Sequence, residues 1–222
     1  QKEKLTDGTV IITGEQTEGK GQQGNTWHSE KGKNLTLSIV FYPTFVPPDE
    51  QFSLSKVISL GMTDFLQTHC HDVFIKWPND IYIKNAKIAG ILLEHAILGN
   101  MISHTVAGIG LNVNQTFFPQ DIPNPTSMKL CKAQEFDLEK TLKLLLTFIE
   151  NRYFQLELGR QEELNEDYTN RLYWLNEKHE FKSFEEKITG KIIGVEDNGE
   201  LRIKTQGGEI QGFYFKEIEF LK

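Results

Sequence analysis

Strand-like and helix-like stretches do not alternate regularly along this chain, and that irregularity limits the possible fold more than any other feature. Residues 9–13 and 34–41 are apolar runs that read as strands. Residues 53–66 place Leu54, Val57, Ile58, Met62, Phe65 and Leu66 at helical spacing, with Ser53 as the expected N-cap. Residues 73–75, 81–83, 88–93 and 105–109 are again strand-like, and Lys84-Asn85-Ala86 joins the second and third as a hairpin. Residues 117–127 carry Pro119, Pro123 and Pro125 and read as a loop. Asp137 then caps a long helix bearing Leu138, Leu142, Leu145, Ile149, Tyr153 and Leu156, and Gly159 marks its end. A shorter helix follows with Leu164, Tyr168 and Leu172 on one face. Without a βαβ rhythm, the expected class is α+β: a mixed, mostly antiparallel sheet with helices on one face.

After Asn176 the texture changes. Residues 188–195, 201–205, 209–213 and 218–221 are short β-like runs, punctuated by Asp197-Asn198-Gly199 and Gly207-Gly208. This predicts two domains, 1–176 and a small all-β module of barrel type over 177–222. A chain of 222 residues suffices for one core plus such a module. Its net charge of −7 supplies no electrostatic footprint for nucleic acid. No apolar run approaches the length of a bilayer span, so no membrane partner is expected. Cys70 and Cys131 are too few and too far apart for a disulfide framework, which points to the cytoplasm. His69-Cys70-His71 lacks a second cluster to complete a metal site and reads as the end of a helix.

The stretch from Gly14 to Trp27, G-E-Q-T-E-G-K-G-Q-Q-G-N-T-W, matches two nucleotide motifs and satisfies neither. As a P-loop it has Gly21 where Mg²⁺ needs a hydroxyl, and no helix follows. As G-x-G-x-x-G it does not open a helix directly from a strand. Bare glycine backbone can still close around an anion, and Trp27 is an expensive ring to leave idle beside a loop. Two more segments carry chemistry. Lys76-Trp77-Pro78-Asn79-Asp80 leaves a strand at a corner stiffened by Pro78, and Lys87 opens the next strand before Ile88-Ala89-Gly90. Gly108-Ile109-Gly110-Leu111-Asn112-Val113-Asn114 ends a strand with amides, of which Asn112 suits an adenine edge.

In this order the three segments resemble biotin protein ligases, strongly over residues 9–114 and weakly to the C-terminus, where that family has a small SH3-like β-barrel. The resemblance implies a two-step reaction. Biotin's carboxylate attacks the α-phosphate of ATP, giving biotinyl-adenylate and pyrophosphate. A lysine of the biotin carboxyl-carrier domain of a carboxylase then attacks the adenylate, giving an amide and AMP. It implies Lys87 and Asp80 as catalytic residues, with Asp80 also assisting the acceptor amine. Gln16, Gly19, Lys20, Gly21, Gln22, Lys87 and Gly90 are the implied biotin contacts. Gln22, Gln23, Asn25, Trp27, Asn79, Asp80, Lys87 and Asn112 are the implied ATP contacts. Mg²⁺ is expected with ATP near Asp80 rather than in a site made by protein alone, and the oligomeric expectation is a monomer or weak homodimer.

Three departures stand out. The family loop is usually arginine-rich, whereas this chain has Lys20, Gln22, Gln23 and Asn25. An Asp-Ser-Thr-Asn-like segment before the loop does not occur, and the chain begins with Gln1, so residues upstream are expected. No helix-turn-helix precedes the ligase-like part, which argues against DNA binding. A lipoate-type ligase is the alternative within the fold, and a non-catalytic biotin-binding module the alternative outside catalysis. Gln16 and the glycine loop favour biotin, whose ureido group needs more polar partners than a dithiolane.

Overall fold

The computed structural model describes residues 5–16, 19, 21 and 27–221. Its larger sheet has six strands: β1 (Thr9–Thr13), β2 (Leu35–Phe41), β3 (Val73–Lys76), β4 (Asp80–Ile83), β5 (Ala86–Leu98) and β6 (Met101–Leu111). They lie in the order β1-β2-β6-β5-β4-β3, and each neighbouring pair is antiparallel. The irregular spacing of runs in the sequence thus reflects neighbour-to-neighbour connections from β3 through β6 and a single crossover, from β2 through the helix at Phe52–Gln67 to β3 at the far edge.

Side-chain alternation divides the sheet into a core face and a cleft face. Leu37, Ile109 and Ile91 are directly opposed across β2, β6 and β5, and all three are buried. Against this face lies α1 (Phe52–Gln67), whose Val57, Leu60, Met62, Phe65 and Leu66 are inaccessible to solvent. Behind it runs α3 (Leu138–Glu157), close enough that a Cβ on Gly61 would sit 2.7 Å from Ile149 Cα. A shorter helix, α4 (Gln161–Asn170), adds Leu164 and the wholly buried Tyr168, and α2 (Met128–Lys132) is a single turn.

The helix ends show where local rules held. Asp137 caps α3, its carboxylate accepting the Lys140 N–H at 3.0 Å, and Gly159 follows the helix at φ +74°. Ser53 does not cap α1. A 3-10 turn over Pro48–Glu50 delivers the chain to Gln51 already in a helical conformation, so Ser53 falls inside the helix and is buried.

The second sheet contains β7 (Lys178–Ser183), β8 (Glu186–Val195), β9 (Leu201–Thr205), β10 (Ile210–Phe213) and β11 (Glu219–Phe220). It is antiparallel in the order β10-β9-β8-β7-β11, with Gly199 and Gly208 at φ +88° and +90° in the turns flanking β9. The β8–β9 turn is pinned to the larger sheet. The Trp77 indole N–H donates to the Gly199 carbonyl at 2.9 Å, and Lys56 of α1 reaches Asp197 at 3.2 Å and Asn165 at 2.7 Å. Burial lowers the Lys56 pKa, and its bond to Asp197 opposes that shift. Among the described residues no helix is long and apolar enough to cross a membrane.

Candidate active site

The face of the larger sheet opposite α1 carries the site. Strand register aligns Thr13, Thr36, Gly110, Gly90, Asp80 and Lys76 in one row across all six strands. All six residues line a cleft of about 1280 Å³. The row has a polar wall at each end and two directly opposed glycines in the middle. Glycine there leaves a floor of bare strand on which a flat group can lie.

Lys87 reaches this face through a bulge. The β4–β5 register slips between Ile81 and Tyr82: Ile81 faces Ala89, whereas Tyr82 faces Lys87. Ile88 is therefore the extra residue, and both Ile88 and Ala89 are fully buried. In a regular strand Lys87 and Gly90 would point to opposite faces. The added residue puts them on the same one. A Cβ on Gly90 would lie 3.6 Å from Lys87 Nζ, and that ammonium stands 2.7 Å from the Asp80 carboxylate. The pair is accessible from the cleft, with side-chain exposures of 30% and 21%. Beside it the Tyr82 hydroxyl, whose pKa is raised by burial first and by Asp80 second, accepts from Lys76 at 3.3 Å.

Trp27 fills the glycine floor. A Cβ on Gly110 would run into its indole, one on Gly90 would lie 3.4 Å from the ring, and Lys87 Nζ is 5.9 Å from the ring centroid. The Trp27 backbone N–H donates to the Gly19 carbonyl at 3.0 Å, which fastens the end of the glycine stretch to its middle. Gly21 and Gln16 also line the cleft. The resemblance implies Trp27 near adenine and Gly90 near the ureido ring, and in the folded chain the Trp27 ring lies against Gly90. Lys20, Gln22, Gln23 and Asn25 lie outside the described residues.

Among the described residues, three polar side-chain atoms on or near this face are buried without a hydrogen-bond partner: Gln16 Oε1 and Trp27 Nε1 of the cleft lining, and Asn112 Oδ1 just past β6. Each such atom costs roughly 1–3 kcal/mol until something bonds to it. Gln16 and Trp27 share the cleft lining with the Lys87–Asp80 pair, the character of a site built to receive a polar ligand.

The amides of the two asparagines are partly committed to backbone. Asn79 Nδ2 donates to the Ile91 carbonyl at 2.5 Å, and the Ile91 N–H returns a bond to the Asn79 carbonyl at 2.9 Å. This stitches the Trp77–Asp80 corner to β5. Asn112 Nδ2 donates one hydrogen bond to the Thr126 carbonyl at 3.0 Å, and its buried oxygen has no partner among the described residues. The Thr126 N–H in turn donates to the Lys87 carbonyl at 2.9 Å, and the Lys87 N–H to the Asn124 carbonyl at 2.8 Å. The proline-bearing loop is therefore a strap behind both Lys87 and Asn112, a part its composition did not reveal.

Tyr82, Phe215, Lys216 and Phe220 line the cleft and were missed by sequence reasoning, and Lys76, noted only as part of its segment, lines it too. Lys76 Nζ lies 5.1 Å from the Tyr82 ring centroid and 5.2 Å from that of Phe220, so the last strand closes over one end of the cleft. The basic-aromatic run Tyr214-Phe215-Lys216 was the available signal, but nothing local links it to a residue well over a hundred positions earlier.

A six-stranded antiparallel sheet with this cleft and a small C-terminal sheet defines the class. Residues 1–112 match the model of the Biotin/lipoate A/B protein ligase family, and the chain belongs to it. It is 26% identical over 224 residues to the Bifunctional ligase/repressor BirA of Bacillus spizizenii, covering 96% of this chain and 66% of that protein. It is 30% identical over 154 residues to the Biotin--[acetyl-CoA-carboxylase] ligase of Mycobacterium tuberculosis, covering 67% of this chain and 55% of that one. Among solved structures it superposes on the biotin protein ligase from Aquifex aeolicus in complex with biotin and ATP with a TM-score of 0.83. The identity is 25%, over 100% of this chain and 92% of the other. The chain thus spans two thirds or less of the length of these curated relatives.

Proposed function

We propose that the protein is a biotin protein ligase: it forms biotinyl-adenylate from biotin and ATP and transfers biotin to a lysine on a carboxylase carrier domain. In this reading residues 1–176 are the catalytic domain and 177–222 the accessory β-module. The observation that carries the proposal is the Lys87–Asp80 pair beside a glycine floor, with Gln16 Oε1 and Trp27 Nε1 awaiting partners.

Lys87 presents a compact positive charge where two anions, a carboxylate and a phosphate, must approach each other. Asp80 keeps that ammonium oriented toward the cleft before substrate arrives. Gln16 Oε1 is an acceptor suited to a ureido N–H, and Gly90 and Gly110 admit a ring against bare backbone. For that ring to lie on the glycines, Trp27 must leave them, and its indole then stands free to cover the nucleotide. Asn112 Oδ1 accepts from the exocyclic amine of adenine. Lys20, Gln22, Gln23 and Asn25 complete the loop over biotin and its adenylate.

Mg²⁺ enters with ATP. Among the described residues no three His, Cys, Asp or Glu are gathered as a metal site. Asp80 supplies one carboxylate of the kind that holds Mg²⁺ together with phosphate oxygens. Bound there, the ion would neutralise phosphate charge.

Its likeness to a biotin--[acetyl-CoA-carboxylase] ligase and to a ligase in complex with biotin and ATP supports a biotin substrate and a carboxylase acceptor. Biotin-dependent ATP–pyrophosphate exchange is the test. Exchange with biotin and none with lipoate is expected. Exchange stimulated by lipoate alone would assign the chain to the other branch of its family.

A further inference from the structure

Cys70 and Cys131, sixty-one positions apart in sequence, come together where the end of α1 meets α2. Both line one cavity of about 1170 Å³ beside the strap, and both are free thiols. Cys70 is buried and Cys131 exposed. Cys131 is near enough to Cys70 to help hold its thiol protonated, and Thr126 Oγ1 lies 3.7 Å from Cys131 Sγ.

The strap makes this pair consequential. Its backbone bonds Lys87 through Asn124 and Thr126, bonds Asn112 through Thr126 and Met128, and one turn later carries Cys131. We propose that Cys70 and Cys131 are a reversible redox modification site, oxidised by low-molecular-weight disulfides, whose closure ties the strap behind Lys87 and Asn112 to the end of α1.

The exposed Cys131 reacts first. It loses its proton to solvent, and its sulfur attacks one sulfur of the small disulfide and expels a first thiolate. Cys70 then loses its proton, attacks Cys131 Sγ and expels the second. The protein gives up two electrons and two protons, and the reagent becomes two thiols. Burial, followed by the neighbouring Cys131, pushes the Cys70 thiol up to about 11. Cys70 is thus the slower, resolving partner and Cys131 the point of entry.

The test uses the intact protein with oxidised glutathione as oxidant, followed by alkylation of remaining thiols and peptide mapping without reductant. The expected result is loss of both free thiols, one cross-link joining the Cys70 and Cys131 peptides within a single chain, and full reversal by dithiothreitol. Hydrogen exchange over residues 124–132 should be slower in the oxidised form. Three results would overturn the proposal: glutathione retained on Cys131 with Cys70 still open to alkylation, a cross-link between two chains, or no reaction at either thiol. Unchanged exchange over 124–132 despite the cross-link would overturn its second half, the tie to the strap.

Discussion

Lys87 owes its position to one extra residue. Ile88 bulges out of the β4–β5 ladder, and the ammonium turns onto the glycine floor instead of the core face. There it stands 2.7 Å from Asp80 and 5.9 Å from the Trp27 ring centroid. Lys87→Ala should therefore lower the rate of pyrophosphate exchange by about 10²–10³-fold, the usual cost of deleting one group aimed at developing charge. Its thermal unfolding should match wild type, because the side chain is not part of the core. Wild-type exchange in a folded variant would remove Lys87 from the mechanism. The segment that carries Lys87 was legible from sequence because a lysine among small and apolar residues is conspicuous. The commitments of Asn79 and Asn112 were not legible. A carboxamide has two N–H donors and an acceptor, and only the fold shows that one donor of each is spent on the carbonyl of Ile91 or Thr126.

At the scale of elements, alternation and caps carried most of the information. The strands of the larger sheet were legible because apolar residues recur on their core faces, and α3 because Asp137 and Gly159 bracket a periodic run. β7 was not, since Lys178–Ser183 has Phe181 as its one apolar residue and is held by pairing with β8 and β11. The start of α1 escaped because the preceding turn, not a side-chain cap, sets it. Contact between α1 and α3 depends on Gly61, where an added Cβ meets the backbone and side chain of Ile149. Gly61→Ala should cost about 1–3 kcal/mol of stability through overpacking, read from the urea midpoint. An unchanged midpoint would mean that the two helices separate freely. The site lies on the opposite face of the sheet, so biotin affinity in the folded fraction should be preserved.

The whole molecule is joined by contacts that no local pattern announces. Trp77 and Gly199 are 122 positions apart, and Lys56 and Asp197 are separated by 141. These bonds fix the β8–β9 turn against the corner that carries Asn79 and Asp80, while β11 closes the cleft from the other side. Lys56 also gives this junction a pH signature. Its pKa in the folded protein is lowered, so the unfolded chain binds more protons between the folded value and the ordinary lysine value. Stability must then rise with pH across that window as a charged, desolvated ammonium is relieved. In Lys56→Met, that alkaline rise in the urea midpoint should be absent relative to wild type. An identical pH profile in both proteins would show that the lysine is hydrated and the junction loose.

The central claim is that Lys87, Asp80 and the glycine-floored cleft activate biotin's carboxylate on the α-phosphate of ATP. The most direct measurement is a single-turnover reaction with biotin and ATP labelled at the α-phosphate, quenched and resolved by chromatography. The account predicts that the label appears in biotinyl-adenylate, and that the product is lost in Lys87→Ala. A folded, biotin-binding protein that leaves all the label in ATP would contradict it.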